Sequence, residues 1–163
     1  MASTWDPDQY LKFHGPRIRP ALDLLAQADV DDPETVYDLG CGPGNVTGLI
    51  QQRWPAADVI GVDSSETMLA QARELHPDKT WIQADLVDWA PDAMADVLYS
   101  NAVFQWLRDH DALLPRLVAN VRAGGIFAFQ LPRNWTAPSH AIINDLVAAG
   151  PHRAQLEPLL LRD

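Results

Sequence analysis

Short apolar runs alternate along the chain with longer segments whose apolar residues recur at helical spacing. Five runs bounded by polar or turn residues predict strands, at 36–39 (VYDL), 58–62 (DVIGV), 80–84 (TWIQA), 96–100 (DVLYS) and 126–131 (IFAFQL). Before the first strand, Ala21, Leu24, Leu25 and Ala28 fall on one helical face, with Pro20 as a suitable first helical residue and an end near Asp29. Val46, Leu49, Ile50 and Trp54 repeat in the same way until Pro55. Met68, Leu69, Ala72 and Leu75 form the next buried stripe, capped by Ser64 or Ser65, with Glu66 favoured in the first turn by the helix dipole. A fourth helix is predicted around 115–121, stopped by Gly124-Gly125, and a fifth amphipathic one at 139–147. Strands alternating with helices specify an α/β fold: a doubly wound, mostly parallel sheet with right-handed crossovers and helices on both faces.

The stretch 36–45 (VYDLGCGPGN) feeds an apolar run into Gly40, Gly42 and Gly44. Glycines let the backbone turn sharply and lie against a ligand, where a side chain would occupy the ligand's volume. The spacing is G-x-G-x-G and lacks the later glycine of the dinucleotide binders. The second strand leads into Asp63, about 20 residues beyond the loop, where a carboxylate can accept hydrogen bonds from both ribose hydroxyls. Ligands of such sheets bind outside the carboxyl ends of the strands, so Asp38, Asp63, Asp85 and Asn101 are expected on one rim. The segment 101–106 (NAVFQW) and 132–135 (PRNW) fall on the same side.

The 163 residues are 47% apolar and fit one domain. A net charge of -10 with scattered basic residues argues against a nucleic-acid surface and suits small-molecule ligands. Cys41 is the one cysteine, which excludes an internal disulfide and a zinc site built of thiols and points to a reducing, cytoplasmic setting. Its place in the loop raises the idea of a nucleophile, but no His lies near it in sequence, and a small buried residue packed behind the turn is the favoured reading. No apolar run approaches a membrane span. Residues 5–15 carry Trp5, Tyr10, Leu11 and Phe13 in an amphipathic stretch that is either a lid or a cover for one sheet face.

With DLGCGPGN at 38–45, IGVDSS at 60–65 and QAD at 83–85, the chain resembles the class I S-adenosylmethionine-dependent methyltransferases, which carry a Rossmann-like sheet. The resemblance extends over 5–13, 17–25, 101–110 and 130–140 to members that form a methyl ester on a small polycarboxylate, trans-aconitate in particular. It implies S-adenosylmethionine held by Asp38, Gly40, Cys41, Gly42 and Gly44, by Asp63, Ser64 and Met68, by Asp85 and Leu86 at the adenine, and by Asn101, Ala102 and Trp106 on the methionine side. Residues 1–30 would then be an amino-terminal lid, 35–131 the nucleotide-binding core, and 132–163 the start of an acceptor cap. The family's carboxyl-terminal strands and most of the cap are absent, so this chain is expected to be a fragment of a longer protein.

Displacement by an ionised carboxylate needs no general base, and none is expected, His14 and His140 having solvent or capping roles as their simpler explanation. Arginine pairs bidentately with carboxylates, which makes Arg17, Arg19 and Arg133 the candidate acceptor ligands, with Tyr10 and Trp135 beside them. A nicotinamide oxidoreductase would share the fold but would want a glycine at Asn45 or Val46. A cofactor-binding module without catalysis, or a methyltransferase for another small molecule, also fits the residues.

Overall fold

The computed structural model describes residues 14–134 and 136–160, with side chains from Ile18 onward. Strands β1 (Thr35–Leu39), β2 (Asp58–Asp63), β3 (Thr80–Gln83), β4 (Ala95–Asn101) and β5 (Val121–Gln130) form one sheet in the order β3-β2-β1-β4-β5. Every neighbouring pair is parallel. The helices are α1 (His14–Gln27), α2 (Asn45–Arg53), α3 (Glu66–Leu75), α4 (His110–Val118), α5 (Pro138–Ala149) and α6 (Arg153–Leu156).

From β1 the chain steps outward to β2 and β3, then returns to β4 on the other side of β1. Right-handed crossovers running in opposite directions across a sheet lay their helices on opposite faces, so the strand order itself produces the two-sided cover. The central strands are accordingly the most buried: Val36, Tyr37, Asp38 and Leu39 of β1 and all of β4 but Asn101 are buried. Leu25, Ile50, Trp54, Val36, Val59, Val97 and Tyr99 form one apolar cluster. Two polar tips tie it together, since the Tyr99 hydroxyl donates to the Ala21 carbonyl at 2.7 Å and the Trp54 indole N–H to the Val30 carbonyl at 3.1 Å. The chain divides into two compact units after Gln130, and the site lies wholly in the first.

Several boundaries differ from the sequence expectation: the fourth helix ends at Val118, and β5 starts at Val121, a residue expected in that helix. Helix α1 begins before Pro20 and contains it, and α4 begins at His110, with Pro115 inside. Each proline removes one N–H, and the carbonyl freed in α4 belongs to exposed Asp111 in the first turn, where water can satisfy it. The Gly124-Gly125 pair lies within β5 and does not stop a helix. Between Ala95 and Val97 of β4, paired with Val121 and Ile126, β5 carries extra residues as a bulge, and Gly124 takes φ 86° there. A Cβ on Gly125 would stand 2.5 Å from the Asp96 carbonyl oxygen, so only glycine permits the close approach. The final helix of the first sheet half is capped by Ser65, whose Oγ accepts the Met68 N–H at 3.4 Å.

In the second unit α5 has no buried residue, and Ile142, Ile143 and Leu146 are exposed on it. No described helix is long and apolar enough to cross a membrane.

Candidate functional site

A cleft of about 190 Å³ opens at the carboxyl ends of β1, β2, β3 and β4. Gly40, Gly42 and Pro43 form one wall, Asp63, Ser64, Ser65 and Met68 the next, Ala84, Asp85 and Leu86 the third, and Asn101, Ala102, Val103, Trp106 and Leu107 close it. The register brings these ends level: Leu39 pairs with Val62, Asp63 with Gln83, and Asp38 with Tyr99.

The glycine wall is anchored to β2 and to the Asp63 carboxylate. Gly40 and Cys41 N–H groups donate to the Val62 carbonyl at 2.7 and 3.1 Å, and the Gly42 N–H to Asp63 Oδ2 at 2.8 Å. The other carboxylate oxygen, Oδ1, accepts the Ser65 N–H at 2.8 Å. A carboxylate has about four lone-pair positions, so each oxygen keeps one for a ligand hydroxyl. Gly40, Gly42 and Gly44 have φ of 70, 55 and 83°, the left-handed region that favours glycine. A Cβ on Gly42 would meet nothing within 4 Å, which means that the bare backbone there borders open space.

Asp85 turns its segment by accepting the Val87 N–H on Oδ1 at 2.9 Å. The same turn is gathered by the Arg116 guanidinium of α4, which donates to the carbonyls of Trp89, Leu86 and Val87, the last at 2.7 Å. Nothing in the local sequence marks Arg116, a single basic residue on a helix, for this task. Pro43, Ser65, Ala84, Val103 and Leu107 also line the cleft, and although each lies within a stretch named from the sequence, none was expected at the ligand itself.

Among the residues expected at the ligand, Asp38, Cys41 and Gly44 do not line the cleft. Asp38 is 2% exposed, and its Oδ2 accepts the Thr47 hydroxyl at 2.6 Å. Burial, the largest cause, together with the nearby Asp63 charge raises its pKa to about 7 against the lowering effect of that hydrogen bond. A side chain one residue before the strand end faces the packed layer under α2 instead of the rim. Cys41 is buried, and desolvation, with Asp38 and Asp63 nearby, pushes its thiol far up, which leaves no thiolate for a nucleophile. Gly44 is buried against the Trp81 indole, 2.7 Å from where its Cβ would stand, and Gly61 faces the same ring at 2.3 Å. These two glycines make the slot in which the indole supports the loop from behind.

Arg19 is exposed and sits 3.7 Å from Asp23 on α1. It lines an open groove of about 500 Å³ with Phe129 and Gln130, separate from the cleft lining. Arg17 is in α1, and Arg133 is exposed in the second unit. His140 stands 3.3 Å from Ser139 through Nδ1. Tyr10 and Trp135 lie outside the described residues, and the side chains of His14 and Arg17 do as well.

Three features suit a ligand with a hydroxylated sugar and a polar N–H end: the open space beside Gly42, the remaining lone pairs of Asp63, and Asn101 Oδ1, which is buried without a partner. The family described as a methyltransferase domain matches residues 36–125, a span from β1 into β5, and the chain belongs to that family. Trans-aconitate 2-methyltransferase of Azoarcus sp. (strain BH72) is 53% identical over 153 residues, covering 94% of this chain and 60% of that protein. Trans-aconitate 2-methyltransferase of Escherichia coli (strain K12 / DH10B) is 46% identical over 144 residues, covering 88% of this chain and 57% of that one. The chain thus spans about three fifths of the length of these relatives. Among solved structures, the plantazolicin methyltransferase BpumL in complex with SAH has a TM-score of 0.67 at 22% identity, covering 93% of this chain and 62% of that one. DesVI of Streptomyces venezuelae has a TM-score of 0.65 at 20% identity, covering 77% and 55%. Both likenesses concern the fold.

Proposed function

We propose that the protein is an S-adenosylmethionine-dependent methyltransferase that forms a methyl ester on a small polycarboxylate, trans-aconitate. The observation that carries the cofactor is the cleft between the glycine loop, Asp63, the Asp85-Leu86 turn and Asn101-Ala102. The acceptor rests on the likeness to the trans-aconitate 2-methyltransferases.

In this reading the Asp63 carboxylate takes both ribose hydroxyls on the lone pairs left by Gly42 and Ser65. Asp85 and Leu86 receive the adenine, with Ser64 and Met68 as the wall beside it. Asn101, Ala102 and Trp106 face the amino-acid end, where a ligand N–H satisfies the unpartnered Asn101 Oδ1. Asp38, Cys41 and Gly44 serve from behind by holding the loop. The cofactor supplies a methyl group on a sulfonium, transferred by in-line displacement. A carboxylate acceptor is already ionised at pH 7, its reference pKa being about 4, so no residue need remove a proton. The protein's task is alignment, which supplies at best on the order of 7–11 kcal/mol. Arg17, Arg19 and Arg133, with Tyr10 and Trp135, are proposed to neutralise and orient the acceptor.

The test uses protein expressed from its complete native reading frame. Calorimetry should show binding of S-adenosylhomocysteine and none of NAD, and labelled methyl transfer should favour trans-aconitate over monocarboxylates, phenols and amines. Transfer to phenols or amines with all polycarboxylates ignored would overturn the acceptor. Binding of NAD in preference to S-adenosylhomocysteine would overturn the cofactor.

A further inference from the structure

Between β4 and the short 3-10 turn Phe104–Trp106, Ala102 takes φ 57°, a left-handed conformation that costs any residue with a Cβ. Two hydrogen bonds bracket it. Its N–H donates to the Gln130 carbonyl at 2.8 Å, and its carbonyl accepts the Gln105 Nε2 amide at 2.7 Å. The other atom of that amide, Gln105 Oε1, is buried without a partner. An apolar side chain of the same length would avoid burying that unpaired oxygen, so the position gains through its donor. The turn so held is part of the cleft: Asn101, Ala102, Val103 and Trp106 line it, and Val103 Cγ2 lies 2.3 Å from where a Cβ on Gly40 would stand. The anchor beneath is firm, because Phe104 is buried among Phe127, Phe129 and His110, and its carbonyl stands 2.8 Å from His110 Nε2.

We infer that Gln105 is a positioning residue of the cofactor cleft, acting through Ala102. Its carboxamide holds the Ala102 carbonyl and keeps that residue left-handed, which aims Asn101 into the cleft and seats Val103 against the glycine loop. The inference rests on the proposed reading of the cleft as the S-adenosylmethionine site.

The decisive variant is Gln105→Met, which keeps length and flexibility and removes the donor. On ligand-free protein labelled at alanine, the Ala102 carbon shifts should leave their left-handed values. The dissociation constant for S-adenosylhomocysteine should rise about tenfold, the scale set by the left-handed penalty. In the Ala102→Gly background the same change should cost about threefold or less, because glycine adopts the conformation without help. Gln105→Glu gives a second readout that needs no tolerance of methionine. Its protonated carboxyl can donate to the Ala102 carbonyl and its ionised form cannot, so its affinity relative to the native protein should improve as pH falls. Unchanged Ala102 shifts in Gln105→Met, equal losses in both backgrounds, or a Gln105→Glu profile parallel to the native one would overturn the inference. Native protein that binds no S-adenosylhomocysteine would overturn the cofactor reading, while the ligand-free shifts would still decide the role of Gln105 in the turn.

Discussion

Replacing Asp63 by Asn keeps shape and one oxygen, and it should weaken both the empty protein and the complex by separable amounts. In the native site the two carboxylate oxygens accept the Gly42 and Ser65 N–H groups at 2.8 Å each. A hydrogen bond to a charged group contributes about 1.5–3 kcal/mol, and a donor left facing another donor forfeits part of its desolvation as well. Asn can satisfy one N–H and sets its own NH2 against the other. The ligand-free protein should therefore lose about 2–4 kcal/mol in urea unfolding. For the complex, one ribose hydroxyl loses its acceptor and the other keeps only a neutral one, so the dissociation constant for S-adenosylhomocysteine should rise by about ten- to a hundredfold in calorimetry. Unchanged urea stability would refute the bridge between the glycine loop and the start of α3. Unchanged affinity with reduced stability would refute the ribose role and leave the bridge standing.

Gly40→Ala and Gly42→Ala should separate packing from ligand contact: the first drives a Cβ to 2.3 Å from Val103 Cγ2 and should cost about 2–4 kcal/mol of ligand-free stability, whereas the second meets no protein atom and should cost binding more than stability. The reverse ranking in thermal unfolding and calorimetry would refute the assignment of the open space. The folded pKa of Asp38 is raised from 3.8 to about 7, so its contribution to stability is fully present below about pH 3.8 and lost as pH rises through about 7. Asp38→Asn, whose amide oxygen still accepts from Thr47, should flatten the fall in urea midpoint across that window, and parallel native and variant curves would refute the buried-carboxyl argument.

The sheet was legible because its strands are apolar runs of strand length between turn residues, and the parallel order follows from the helices between them. What misled were prolines and glycines read as punctuation. Pro20 and Pro115 look like first-turn residues, and both sit inside helices, since burial of Ala21, Leu25, Leu113 and Leu117 outweighs one missing N–H. Gly124-Gly125 looks like a helix stop and is a bulge, because what requires glycine there is the passing Asp96 carbonyl from another strand. No local window contains that contact.

The site divides along the same line between local pattern and distant partner. Spacing alone brought Gly40, Gly42, Asp63, Asp85 and Asn101 to one cleft, because strand ends in a parallel sheet share a rim. Spacing could not distinguish Asp38 from Asp63, two carboxylates at neighbouring strand ends. One residue of register decides between them: Asp38 precedes the last residue of β1 and is sealed under α2 with Thr47, whereas Asp63 ends β2 and reaches the loop. The third glycine shows the same limit, since Gly44 belongs to the motif yet answers to Trp81, thirty-odd residues on in the chain. Arg116 lies in no motif, and Gln105 lies in the rim segment 101–106 without being expected at the ligand. Their work is to hold carbonyls of the turns that border the cleft, and such work follows from the folded backbone, which first brings those carbonyls within reach.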